Sequence, residues 1–329
     1  MINVEPLLSN TCIVIVTYHP HSNIRNRIDE LVKQYQCIVV VDNKSTEEEI
    51  NYLKNEKIIL IKNNCNMGIA YALNQGFEKA EQLGCKWIIT MDQDSYLLPN
   101  AINVFNQVYN SYPNQNQLAM IAGNYVGDIK ENILRYACSP EADYSEVDTI
   151  ITSGCLTNIA IWREIGGFNE GYFIDNVDDE FCLRASLHNY KTLATNEIVL
   201  EHQIGEIIPA VIHPFKLIYP KKLKPGVVLN RKQKILRMLN IFNYRIRTYG
   251  PYNINYGVHS PNRWYYQGRN ITATVLKYRK THKIWCKQNI RSHTIKFVAM
   301  LLVDKHRYKK AFMYLKGVMH GLLKRSGPL

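Results

Sequence analysis

Four unbroken apolar runs between residues 12 and 91 constrain this chain more than any other feature. They are Cys12-Ile13-Val14-Ile15-Val16-Thr17-Tyr18, Cys37-Ile38-Val39-Val40-Val41, Ile58-Ile59-Leu60-Ile61 and Trp87-Ile88-Ile89-Thr90-Met91. Each has strand length and a β-branched bias, and none alternates with polar residues. Between the first two runs, residues 24–36 carry Ile24, Ile28, Leu31, Val32 and Tyr35 at helical spacing. Glu47 to Lys54 and Gly68 to Leu83 read as two further helices. Strands that do not alternate are buried on both faces, and strands separated by helices return parallel. The expectation is an α/β fold with a parallel sheet covered on both sides.

The fourth run ends in Asp92-Gln93-Asp94-Ser95. In a strand, Asp92 and Asp94 would lie on the same side. They would also lie at its C-terminal end, where open α/β sheets hold ligands. Two hard oxygen donors suit Mg2+ or Mn2+, which bind through one or two carboxylates plus substrate phosphates. The alternative is two solvated acids in a loop. Asp42 also follows a strand end, so it should share the rim. A second acidic group, Asp175-Asn176-Val177-Asp178-Asp179-Glu180, reads either as the first turn of a helix or as a source of a general base.

At this point the chain resembles the family 2 glycosyltransferases of GT-A fold over its first two hundred positions. The matching pieces are Val14 to Tyr18, Val41-Asp42-Asn43-Lys44-Ser45, Asn66 to Gly76, Asp92-Gln93-Asp94-Ser95, Ser153-Gly154-Cys155, Ile165-Gly166-Gly167-Phe168 and Asp178 to Arg184. The Asp-Gln-Asp-Ser form and Phe173-Ile174-Asp175 look most like the bacterial rhamnosyltransferases. The resemblance implies a nucleotide-sugar-binding, Rossmann-like mixed sheet flanked by helices. It also implies an inverting, metal-dependent, non-processive transfer of L-rhamnose from dTDP-rhamnose to a lipid-linked or growing polysaccharide in cell-surface glycan biosynthesis. Thr17, Tyr18, Asp42, Asn66, Gly68, Asn74, Asp92 and Gln93 fall where the family contacts the donor. Asp94, Asp92 and His202 would hold Mg2+ or Mn2+. Alignment on Phe181-Cys182-Leu183-Arg184 puts the base on Asp178, although Val177 replaces an acid many members carry. Asp175 and Asp179 would touch the acceptor. Gly68 could instead serve helix entry, Asn74 a local bond, and Tyr172 and Trp162 the core rather than the sugar site. A UDP-hexose donor, or a non-catalytic sugar-nucleotide-binding relative, is the alternative function.

Charge divides the chain. Residues 1–210 hold 14 Lys+Arg and 27 Asp+Glu; residues 211–329 hold 26 Lys+Arg and one acid, Asp304. This suggests a catalytic domain at 1–215 and a basic, mainly helical region at 216–329. Basic helices with apolar faces bind anionic membrane surfaces, so a peripheral position on the inner face of the plasma membrane is expected; the same region could contact a second copy of the chain. No stretch of about 18 apolar residues or signal-peptide pattern is present, pointing to a cytoplasmic chain. Eight scattered cysteines lack C-x-x-C or zinc spacing and read as reduced thiols. A nucleic-acid binder would explain the basic end but not the acidic first part, and no nucleic-acid partner is expected. The only Arg-Trp, Arg263-Trp264, has Ser260 where a processive synthase would carry Gln. The segment Arg263 to Asn270 resembles one common in the rhamnosyltransferases and has no role assignable from sequence.

Overall fold

The computed structural model describes residues 4–126, 136, 142–202, 207–212, 215–220, 244–249 and 252–329, with backbone alone for 202–256. The expected alternation is present as β1 (Thr11–Thr17), α1 (Ile24–Leu31), β2 (Cys37–Asp42), α2 (Glu47–Ile50), β3 (Ile59–Lys62), α3 (Ile69–Gln82) and β4 (Trp87–Asp92). There follow β5 (Ser95–Leu97), α4 (Ala101–Ser111), β6 (Leu118–Val126), β7 (Ser145–Glu146), β8 (Cys155–Asn158), α5 (Ile159–Glu164), α6 (Val177–Leu187) and β9 (Lys191–His202). The remainder comprises β10 (Ile207–Ile212), β11 (Phe215–Pro220), β12 (Tyr244–Tyr249), β13 (Tyr252–Gly257), α7 (Pro261–Tyr278), α8 (Lys283–Val303) and α9 (Arg307–Leu322).

The main sheet runs β3-β2-β1-β4-β8-β6-β9-β5, with β7 on β9. β1 to β4 are parallel, whereas β8 lies antiparallel to β4 and to β6. The sheet is therefore mixed, as the resemblance implied. Both faces are buried. Cys12, Val14 and Val16 of β1 enter a core with Phe77, Trp162, Phe168 and Phe181. Ile13 and Ile15 enter the opposite core with Ile24, Ile28, Trp87 and Phe105. That double burial is why the runs do not alternate. α2 begins at a capping box formed by Thr46 and Glu49, and Ser260 caps α7 ahead of Pro261.

The compact units are not the two consecutive blocks suggested by charge. One unit comprises Met1–Ile204, His259–Thr294 and Tyr308–Leu329; the other comprises Gly205–Val258 and Ile295–Arg307. In the first, α7 and α9 meet through glycines. A Cβ on Gly268 would lie 2.4 Å from the Tyr314 carbonyl oxygen, and one on Gly317 would lie 2.1 Å from that of Tyr265. The buried face of α7 carries Trp264, Tyr265, Arg269, Asn270 and Tyr278. Net charge reports the solvent side of such helices and is blind to the side that packs. In the second unit, β10 pairs with β13 and β11 with β12, both antiparallel. The C-terminal region is mostly helical from Pro261 onward, and strands precede it. Tyr244-Arg245-Ile246-Arg247 alternates with period two, so the first part of that strand had a sequence signal.

Candidate active site

β4 carries Asp92 to the C-terminal rim beside the end of β1, with Val16 and Asp92 in register. The turn after it is fixed from three sides. The Gln93 side chain accepts from Tyr18 N at 2.8 Å and donates to Tyr18 O at 3.2 Å. Arg27, buried on α1, donates to Gln93 O at 3.0 Å. Ser153 Oγ accepts from Asp92 N at 3.2 Å and lies 3.3 Å from Ser95 Oγ. Asp92 and Asp94 are thus presented on a braced turn. In the β5–β9 ladder His202 lies opposite Ser95, one residue from Asp94; its side chain is outside the described residues. Carboxylate and imidazole are ligand types suited to a hard divalent cation, and Asp92, Asp94 and the His202 backbone position share this end of the sheet.

At the β2 end Asp42 is fully buried. Its carboxylate accepts from Thr17 Oγ1 at 2.9 Å, from Ser45 N at 2.9 Å and from Ser45 Oγ. Its visible role is therefore to shape the rim loop, with Thr17 buried alongside. Tyr18 points its ring outward, 47% exposed. Asn43, which has no site role assignable from sequence, joins two loops. It donates to Asn66 Oδ1 and Gly68 O, each at 3.1 Å, and accepts from Met67 N at 3.0 Å and Asn63 Nδ2 at 3.2 Å. Asn66 also accepts from Gly68 N at 2.9 Å.

Gly68 has φ +87°, and a Cβ there would lie 2.6 Å from Phe173 O. That carbonyl instead accepts from Ile69 N at 2.6 Å, so the start of α3 is capped by a residue a hundred positions away. Asn74 is equally long-range. Its amide accepts from Trp162 Nε1 and Phe168 N and donates to Phe168 O and Glu170. Both residues lock the first half of the fold to the loop before α6. Trp162 and Tyr172 are buried in the core, the latter 2.8 Å from Thr274 Oγ1.

That loop is held in an unusual backbone. Phe173, Asp175 and Asn176 have φ of 59°, 65° and 59°. Non-glycine residues rarely adopt such values, which cost about 1–3 kcal/mol each. α7 supplies the restraint. Asn270 Nδ2 donates to the carbonyls of Tyr172, Ile174 and Asp175, each at 2.8 Å. Arg269, itself buried, donates to Gly171 O at 2.8 Å and Tyr172 O at 3.0 Å, and Arg263 pairs with Asp175 at 3.1 Å. The segment Arg263 to Asn270 is therefore a clamp on the loop that launches α6.

α6 then presents Asp178 and Asp179 in its first turn. Asn176 Nδ2 donates to Asp179 Oδ2 at 2.8 Å, and Asp178 Oδ1 accepts from Asp179 N at 3.0 Å. Glu180 turns inward and is fully buried between Arg184, Lys277 and Tyr278 Oη. Burial pushes its carboxyl up, but the bonds and charges of Arg184 and Lys277 outweigh this and leave it below the ordinary value. The buried Cys155 thiol is pushed up to about 11, first by burial and further by the charges of both Asp178 and Asp92. Two acidic segments some eighty positions apart thus act on one sulfur.

The family model "Glycosyl transferase family 2" matches residues 12–153, which includes this rim through Ser153. A dTDP-rhamnosyl transferase, RfbF of Shigella flexneri, is 33% identical over 214 residues, or 60% of this chain and 70% of that protein. The chain belongs to glycosyl transferase family 2. It is a glycosyltransferase. The fold agrees with the 1–349 portion of TarS from S. aureus, crystallised with UDP-GlcNAc: TM-score 0.54 at 13% identity, covering 95% of this chain and 81% of that one.

Proposed function

We propose that this glycosyltransferase moves L-rhamnose from dTDP-rhamnose to a lipid-linked or growing glycan by a single inverting displacement. The donor reading rests on the likeness to the S. flexneri dTDP-rhamnosyl transferase. The mechanism is supported by one electrostatic relation, the charges of Asp92 and Asp178 both acting on the buried Cys155 thiol. Asp92, Asp94 and His202 would hold a divalent cation, Mg2+ or Mn2+, which when bound neutralises the charge of the departing diphosphate. The exposed ring of Tyr18 offers a stacking surface for the base, and the loops joined by Asn43 border the nucleotide. Asp178 accepts the acceptor hydroxyl proton as that oxygen bonds to the anomeric carbon. The bond from that carbon to the diphosphate breaks, and its electron pair leaves with the nucleotide. Asp175, held by Arg263, and Asp179, held by Asn176, border the acceptor side.

Association with an anionic membrane surface is part of this reading. Among the described residues no helix is long and apolar enough to cross a membrane. α9 nevertheless exposes Tyr308, Phe312, Leu315, Met319 and Leu322 at helical spacing, each more than half exposed. Lys309 lies near one end of this stripe, and Lys324 and Arg325 follow the other. An apolar stripe with flanking cations matches a lipid interface. Phe312→Asp with Leu315→Asp should reduce sedimentation with anionic liposomes and leave soluble donor binding unchanged; undiminished sedimentation would remove α9 from the account. Asp178→Asn should bind dTDP with unchanged affinity and lose transfer, and transfer near the unsubstituted rate would refute the base assignment.

A further inference from the structure

Three cysteines with no common motif meet at the far end of the sheet. Cys12 of β1 and Cys37 of β2 are register partners in adjacent parallel strands. Cys85 precedes β4, the strand on the other side of β1. Their sulfur atoms all lie within 4.8 Å of one another. The spacings, 25 and 48 residues, follow no ligand pattern, so only the strand order β2-β1-β4 unites them.

We propose that Cys12, Cys37 and Cys85 form a three-thiolate site for a single soft d10 cation. Metal–sulfur distances of about 2.3 Å place the sulfurs of a trigonal set roughly 4 Å apart, a spacing this cluster accommodates without strand movement. Thiolates with no oxygen or imidazole ligand select soft cations such as Zn2+ or Cu+ over Mg2+ or Mn2+. The site is reachable. Cys85 lines a cleft of about 150 Å3 together with Lys86, Trp87 and Asn158, and Cys37 is partly exposed. The three thiols bond to one another, which lowers Cys85 and raises Cys12 and Cys37. On binding, each sulfur loses its proton to solvent and no electron is transferred. Bound metal would pin the starts of three neighbouring strands. Thr17 lies five residue steps along β1 from Cys12, about 16 Å, so the site is distinct from the catalytic rim and independent of the donor assignment.

The test is a Cd2+ titration of the reduced full chain, read by thiolate-to-cadmium charge-transfer absorption. The expected result is saturation at one ion per chain with three sulfurs per ion. Cys85→Ser and Cys37→Ser, each checked for fold by circular dichroism, should each lose most of the band. Alkylation followed by mass spectrometry of the unsubstituted protein adds a readout that needs no variant. One equivalent of Cd2+ should shield Cys37 and Cys85 and leave the exposed Cys65 reactive. No band at one equivalent, a band retained in both variants, or unchanged alkylation of Cys37 and Cys85 would overturn the proposal.

Discussion

Replacing Asn270 by alanine tests the clamp that sets the loop before α6. The amide nitrogen has two hydrogens shared among three carbonyls, those of Tyr172, Ile174 and Asp175. Each buried carbonyl left without a donor costs about 1–3 kcal/mol, so loss of two bonds should cost about 2–6 kcal/mol. The loop's three positive-φ residues require a comparable sum, about 3–9 kcal/mol, so without the clamp the loop should relax toward ordinary backbone. Asp178 begins only two residues beyond it. Misplacement of a catalytic group by about 1 Å can cost 10²-fold in rate, so kcat should fall by that order while dTDP affinity changes little. Asn270→Asp is the sharper variant. It keeps an acceptor for Arg269 Nε, now 2.9 Å from Asn270 Oδ1, but turns an oxygen toward three carbonyl oxygens. Denaturant unfolding and a transfer assay on both variants decide the matter. Asn270→Asp should be at least as damaging as Asn270→Ala. A stability loss under about 0.5 kcal/mol, the level of ordinary surface substitutions, with kcat retained would refute the reasoning.

Other outcomes follow from the same contacts. Gly68→Ala should destabilise the fold by about 1–3 kcal/mol and lower the melting temperature, because its φ is left-handed and its Cβ meets backbone. Asp94→Ala should abolish any difference in donor binding between Mn2+ and EDTA, measured calorimetrically; a remaining difference would move the cation elsewhere. Glu180 sets an acid limb. Its folded carboxyl lies below the ordinary value, so its contribution is present above about pH 4.3 and lost as pH falls below it. Glu180→Gln should lower stability at neutral pH and flatten the decline below pH 4.3; an unaltered acid limb would assign that decline to other groups.

Much of the first half was legible because burial on both faces leaves an unmistakable pattern. β1 to β4, α1 and α3 lie where Cys12–Tyr18, Cys37–Val41 and their neighbours pointed. The placement of Asp92 at a strand end follows from the same pattern. The short antiparallel strands β5, β7 and β8 have two to four residues each, too few for a period to emerge. The braces were invisible for a different reason. Asn74 bonds across 94 positions and Asn270 across 95 to 98, and no local pattern encodes such partners. Glu180 looked like one more acid in a helix's first turn, and only the approach of α7 reveals it as buried. Net charge does not report the face of α7 that packs, which is aromatic and polar. A two-residue alternation at 244–247 was available and was masked by the basic composition around it.

The central claim is that the rim binds dTDP-rhamnose through its carboxylate turn. The most direct measurement is a donor screen by thermal shift and hydrolysis with dTDP-rhamnose, UDP-glucose, UDP-galactose and GDP-mannose, each with Mn2+ and with EDTA. Stabilisation by dTDP-rhamnose above the others, lost in EDTA and absent in Asp94→Ala, is the expected result. Equal or stronger stabilisation by a UDP or GDP sugar, or stabilisation by dTDP-rhamnose indifferent to EDTA, would contradict it.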